Sequence, residues 1–281
     1  MTAASGTVTV LLVLAACGSA PSPTAPGPAR RVVSLAPSIT EIVYALGAGD
    51  RLVGVCGQCD HPAAVAAVPR VGGYLVPSVE ATVAARPDLV LAVPSPGNRE
   101  AVLAIERAGM RVVVVHDRTL DDLWTGMRTI AAALGVEASG ERLVRDLQAR
   151  LAVVRARTDP LPPRRVLMVV GHRPLVVVGD GTLQSELLTV AGGANVAQGA
   201  GIWPRLSLET VVARAPEVVV DATMGSDAGA SRLFAGLVTI PAVRDGRVVA
   251  LADDRLFRAG PRVPEAAEVL ARAIHPEVAS R

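Results

Sequence analysis

Two stretches of this chain, 79–92 and 208–221, align without a gap, and that internal repeat constrains the fold more than any other feature. Glu80 matches Glu209, Val83 matches Val212, Ala84 matches Ala213, Pro87 matches Pro216 and Asp88 matches Glu217. Each copy has the pattern of a helix, a proline that ends it, an acid and a run of apolar β-formers. A weaker echo pairs Thr40-Glu41-Ile42 with Ser185-Glu186-Leu187, each ahead of a Gly-containing helix end. A unit that recurs in the second half of a chain predicts two lobes of related topology.

The rest of the pattern agrees. Short apolar runs at 31–35, 52–55, 89–93, 112–115, 166–170, 218–220 and 248–251 alternate with segments of helical period. Such alternation predicts an α/β fold with mostly parallel sheets, and 281 residues suit two lobes better than one simple core. Between the lobes, Leu143, Val144, Leu147, Leu151 and Val154 mark one apolar face of a helix over 136–157. At 1.5 Å per residue it runs roughly 30 Å, enough to cross the back of both lobes. A helical connector resists hinge closure, so the lobes are expected to move little on binding. The expected organisation is an N-terminal lobe at 30–135, a connecting helix at 136–159 and a C-terminal lobe at 160–281.

Hydrophobic residues make up 51% and charged residues 19%, which supports buried cores and excludes a disordered chain. The net charge is +2 and no run of Arg is dense enough to follow a phosphate backbone, so nucleic acid is not an expected partner. Ahead of the lobes, the apolar run from Val8 to Ala16 is too short to span a bilayer and ends in Leu14-Ala15-Ala16-Cys17. A small-residue site directly before a cysteine resembles the bacterial lipobox. It implies a signal peptide at 1–16, acylation of Cys17, a tether at 17–29 and a body held outside the cytoplasm by a lipid anchor. No Lys or Arg precedes Val8, so the basic start of such a leader is missing, as a misplaced start codon would explain.

From residue 30 to about 273 the chain resembles the helical-backbone periplasmic binding proteins that serve importers of cobalamin, ferric siderophores and haem. Its carriers in the first lobe are Arg31-Val32-Val33-Ser34-Leu35-Ala36-Pro37-Ser38-Ile39-Thr40-Glu41, Leu52-Val53-Gly54-Val55 and Arg86-Pro87-Asp88-Leu89-Val90. In the second they are Gly192-Gly193-Ala194-Asn195, Trp203-Pro204 with Ser207 and Glu209, and Arg258-Ala259-Gly260-Pro261-Arg262. The resemblance is greatest to the cobalamin-binding branch. It implies two Rossmann-like lobes with a ligand cleft between them, no cofactor and no catalysis. It further implies a monomer that passes a corrinoid to an ABC importer, built from a permease dimer and its ATPase.

Carried over position by position, the resemblance places Pro37, Ser38, Cys59, Tyr74, Trp203, Asp254, Phe257 and Arg258 at the ligand. Tyr74 lies six residues before Glu80 and Trp203 six before Glu209, so each lobe can offer one aromatic face to a flat macrocycle. Asp254 can accept hydrogen bonds from ligand amides. Glu80 and Glu209 are implied to sit on the lobe tips and meet Arg residues of the transporter. The same fold leaves two other ligand classes open. Arg205, Arg258 and Arg262 suit an anionic ferric siderophore, and Tyr74 suits haem iron.

Cys56-Gly57-Gln58-Cys59-Asp60-His61 admits several readings: a redox pair, a structural disulfide, or half of a metal site. A second C-x-x-C is absent, which disfavours a closed zinc site. The pair follows a strand and precedes Pro62 rather than opening a helix, which disfavours thioredoxin-like chemistry. There remain a disulfide and a cleft contact by Cys59 or His61. A hydrolase using Ser with His116 or His172 is the alternative from another class, but no G-x-S-x-G, G-x-x-x-x-G-K or H-E-x-x-H is present. Both histidines lie beside Val runs, as strand-end residues do.

Overall fold

The protein was analysed as a computed structural model, which describes residues 27–224 and 229–280. The N-terminal lobe runs β1 (Val32–Ser34), α1 (Pro37–Ala45), β2 (Leu52–Val55), α2 (Val79–Ala84), β3 (Leu89–Ala92), α3 (Arg99–Arg107), β4 (Val112–Val114) and α4 (Leu120–Leu134). Helix α5 (Glu137–Thr158) connects it to the C-terminal lobe. That lobe runs β5 (Arg164–His172), β6 (Leu175–Val177), α6 (Leu183–Val190), β7 (Gly193–Asn195), α7 (Leu208–Arg214), β8 (Val218–Asp221), α8 (Gly229–Leu233), α9 (Pro241–Arg244), β9 (Val248–Ala250) and α10 (Val263–Ile274).

The first sheet has the order β2-β1-β3-β4 and is parallel throughout. Its central strands β1 and β3 are fully buried, which explains their continuous apolar runs. In the second sheet, of order β6-β5-β8-β9, the long β5 pairs β7 at its start and β6 at its end, along one side. β6 is antiparallel to β5, a hairpin that the apolar runs did not separate.

The repeat builds the same joint twice. α2 is capped by Ser78, whose Oγ accepts the Ala81 N–H, and α7 by Ser207, whose Oγ accepts the Thr210 N–H. Each helix ends in a residue of positive φ just before the proline, Arg86 at 48° and Ala215 at 42°. The acid that follows then ties down the neighbouring first strand. Asp88 accepts the N–H groups of Arg30 and Arg31 at 2.8 and 3.0 Å, and Glu217 accepts that of Arg165 at 2.8 Å. In both lobes that strand's arginine reaches back to the helix end, Arg31 to the Arg86 carbonyl and Arg165 to the Ala215 carbonyl.

Helix α5, about 33 Å long for its 22 residues, buries Val144, Leu147, Leu151 and Val154. It packs on α4 of the first lobe and on α6 and α10 of the second. The largest core cluster therefore runs without a break from Val32 and Leu91 through α5 to Val166 and Leu270. Smaller clusters cover the outer face of each sheet. Because both lobes share one core along α5, a hinge there would have to expose apolar surface. No helix among the described residues is long and apolar enough to cross a membrane.

Candidate functional site

In open parallel sheets, ligands bind beyond the carboxyl ends of the strands. Here those ends lead to Pro37 and Ser38 after β1, to residues 56–61 after β2, to Thr223 and Met224 after β8, and to residues 251–258 after β9. Loop 72–77 joins the second of these, since the Tyr74 N–H donates to the Gln58 side-chain carbonyl at 2.8 Å. Tyr74 is half-buried, and its hydroxyl is pushed up from its usual pKa by burial and by the nearby Asp117 carboxylate. Asp117 is itself raised, by burial first and then by Asp122. Its neighbour Arg118 meets the other lobe: a Cβ on Gly181 would lie 3.6 Å from the guanidinium. Gly179 in turn abuts Gly201 and Pro204, so the loop that carries Trp203 belongs to this end of the seam. Tyr74 and Trp203 thus belong to loops on opposite lobes that flank the Arg118–Gly181 approach across the seam.

The other end of the seam is ionic. Glu41 on α1 is only 3% exposed. Its carboxylate takes Arg262 Nε at 2.9 Å and Nη2 at 2.6 Å, and Arg258 Nη1 at 3.2 Å, both from the opposite lobe. Arg258 also holds Asp60 and Asp254, and Arg262 reaches Asp254 at 3.3 Å. Arg258 holds the Asp60 carboxyl below its ordinary value, and Glu41 is the main cause of the raised pKa of Arg262. Each guanidinium at this end is therefore already matched by carboxylates.

Comparison with known proteins decides what such an arrangement is. A family model described as periplasmic binding protein matches residues 32–254. The chain belongs to the periplasmic binding protein family. An ABC transporter substrate-binding lipoprotein of Bacillus subtilis (strain 168) is 32% identical over 88% of this chain and 81% of its own length. The crystal structure of a periplasmic vitamin B12 binding protein of Vibrio cholerae covers 91% of this chain and all of its own, with TM-score 0.77 and 26% identity. A periplasmic haem-binding protein from Roseiflexus sp. RS-1, in apo form, covers 90% of this chain and all of its own, with TM-score 0.77 and 31% identity. The two-lobe α/β fold expected from the repeat is the fold of these proteins. As a periplasmic binding protein, the chain is of an extracytoplasmic transport class whose members bind small ligands and work with the permease and ATPase of an ABC importer.

Within this periplasmic binding protein the predicted site residues fall into three groups. Tyr74 and Trp203 lie on loops; Trp203 is 46% exposed and Tyr74 is partly buried against the main core, while Trp124, which the sequence did not single out, is the buried aromatic of that core. Pro37 opens α1 partly exposed, and Ser38 beside it is buried, with Gly260 of the opposite lobe packed close by. Asp254, Phe257 and Arg258 share one short turn, where Phe257 packs on the main core and Asp254 and Arg258 serve the ionic cluster. Glu80 and Glu209 are exposed in the first turns of α2 and α7, one per lobe, and neither forms an ion pair among the described residues. Cys17 lies outside the described residues.

One expectation is corrected. Cys59 is bonded to Cys56 in a disulfide and is 1% exposed, with the Thr40 hydroxyl against its sulfur at 3.2 Å. It supports the loop from beneath instead of facing the cleft, while Asp60 and His61 beyond it are exposed. Glu41 and Asp60 were missed as seam residues because their partners come from the far end of the chain. Of the two histidines weighed for hydrolysis, His116 is exposed. His172 Nε2 lies 3.0 Å from both Asp221 oxygens and 3.3 Å from Thr223 Oγ1. Acid and hydroxyl thus share one ring nitrogen, whereas a catalytic relay needs them on opposite nitrogens.

Proposed function

We propose that this protein binds cobalamin or a related corrinoid in the cleft between its lobes and delivers it to the permease of an ABC importer. The observation that carries the reading is the pairing of apolar loops with arginines already engaged. Leu75, Val76, Ile202, Trp203 and Met224 stay exposed on the connecting loops of the two lobes. Large flat ligands of low net charge are held by such surfaces, with a few polar groups for orientation. A ferric siderophore of high negative charge needs free guanidinium groups, but Arg258 and Arg262 are engaged by Glu41, Asp60 and Asp254. Only Arg205 of the three candidates is exposed without an ion pair among the described residues.

Delivery follows from the exposed acids. Glu80 and Glu209 occupy matching places on the two lobes, a spacing that suits a two-fold symmetric permease dimer carrying arginines. Exposed pairs are worth about 0.2–1 kcal/mol each, so they orient docking more than they drive it. Acylated Cys17 keeps the body close to the membrane, and the segment after it spaces the cleft from the surface. Equilibrium dialysis against cyanocobalamin, haemin and a ferric tricatecholate tests the ligand class. Retention of cyanocobalamin alone supports the proposal; retention of the tricatecholate in its place overturns it.

A further inference from the structure

Beside the Arg258–Asp60 pair, two carboxylates on helices have their partners in the other lobe. Glu41 on α1 of the first lobe is buried and is held by Arg258 and Arg262 of the second. Glu186 on α6 of the second lobe accepts the Leu120 N–H at 2.6 Å, at the first residue of α4 in the first. These are the acids of the echo Thr40-Glu41-Ile42 and Ser185-Glu186-Leu187. The same position in the two lobes therefore crosses the seam in opposite directions, Glu41 at its ionic end and Glu186 at the end near Arg118 and Gly181.

We propose that Glu41 and Glu186 are the positioning residues of the cleft, two pins that hold its walls at binding distance before any ligand arrives. The chemistry differs at the two ends. A carboxylate as buried as Glu41 is costly to leave without its guanidinium partners, which fixes residues 258–262 against α1. Glu186 lends a negative charge to the N-terminus of α4, where unpaired N–H groups and the helix dipole favour one. Thr119 caps that helix from its own lobe through the Asp122 N–H, and Glu186 adds a cap from the other lobe. With a pin removed, the seam keeps α5, the Arg258–Asp60 pair and the remaining pin, and the cleft samples wider states. Apparent affinity then falls by the fraction of molecules still held at binding distance.

The test needs no ligand, so its outcome is independent of the corrinoid assignment. Ala84 on α2 and Ala213 on α7 are exposed and related by the repeat. Nitroxide labels at Ala84→Cys and Ala213→Cys, in the full chain carrying Cys17→Ser, report the separation of the lobe tips by pulsed electron spin resonance. The parent should give one narrow distance. Glu41→Gln and Glu186→Ala should each shift the distribution to longer distances and broaden it, while near-ultraviolet circular dichroism stays native. Should Glu41→Gln fail to fold, Glu186→Ala decides alone, since its half-buried carboxylate serves one backbone N–H. A folded Glu186→Ala protein with the parent's distance distribution overturns the proposal.

Discussion

Glu217 accepts the Arg165 backbone N–H at 2.8 Å, and this pair repeats in the second lobe what Asp88 and Arg31 do in the first. The acid of each repeat anchors the start of a strand that a separate part of the chain supplies. Asp88 takes two N–H groups, from Arg30 and Arg31, where Glu217 takes one. Asp88→Ala is expected to cost about 1–2 kcal/mol and Glu217→Ala less, because charge-assisted hydrogen bonds are worth more than neutral ones but these are solvent-exposed. Urea denaturation of the two variants measures the difference.

The repeat was legible because its helix, the proline that ends it and the strand behind it follow one another directly in the chain, although the strand its acid ties down lies more than fifty positions earlier. The apolar face of α5 was equally plain, since Val144, Leu147, Leu151 and Val154 recur at helical spacing and are buried. The ionic seam was not legible. Glu41 and Arg262 stand 221 positions apart, and no spacing rule links residues so distant. The β5–β6 hairpin was missed because Arg173-Pro174 divides apolar runs that look alike on either side. Cys59 fell between two readings that C-x-x-C spacing alone does not separate, and only its burial and its bond to Cys56 decide between them.

The disulfide closes a very short loop, so chain entropy gives it about 2 kcal/mol of stabilisation. Cys56→Ser with Cys59→Ser is expected to lower the thermal midpoint by that equivalent and to leave ligand binding largely intact. Differential scanning calorimetry and a ligand titration on the same preparation check both parts. Loss of binding in a still-folded variant would return Cys59 to the ligand.

Acid sensitivity should come partly from Glu277. Its own backbone N–H, then His275 and Arg164, hold its pKa at about 2, against the usual 4.5. Because the folded value is the lower one, the unfolded chain binds the extra proton. The contribution is therefore complete above pH 4.5 and disappears as the pH falls toward 2. The carboxylate is 44% exposed, so solvent screening limits the effect to under about 1 kcal/mol. Stability of Glu277→Gln, followed from pH 6 down to pH 2, should fall less steeply than that of the parent.

Docking should depend on Glu80 and Glu209 without touching the ligand. Glu80→Arg and Glu209→Arg are each expected to reduce uptake in cells while leaving ligand affinity unchanged, and the double substitution should reduce it further. Uptake of labelled cobalamin, set beside dialysis with the purified variants, separates the two effects. Equal loss in both assays would move these acids into the cleft.

The ligand assignment rests on Trp203, which stands 46% exposed on its loop. Trp203→Ala is therefore expected to change stability by less than about 0.5 kcal/mol, as for an ordinary surface substitution. The decisive measurement is a calorimetric titration of the protein with cyanocobalamin, run on the parent and on Trp203→Ala. Saturable one-to-one binding, weakened at least about tenfold by the substitution, or about 1.4 kcal/mol, is the expected result. No heat and no quenching of tryptophan fluorescence in the folded parent would contradict the corrinoid assignment while leaving the transport family in place.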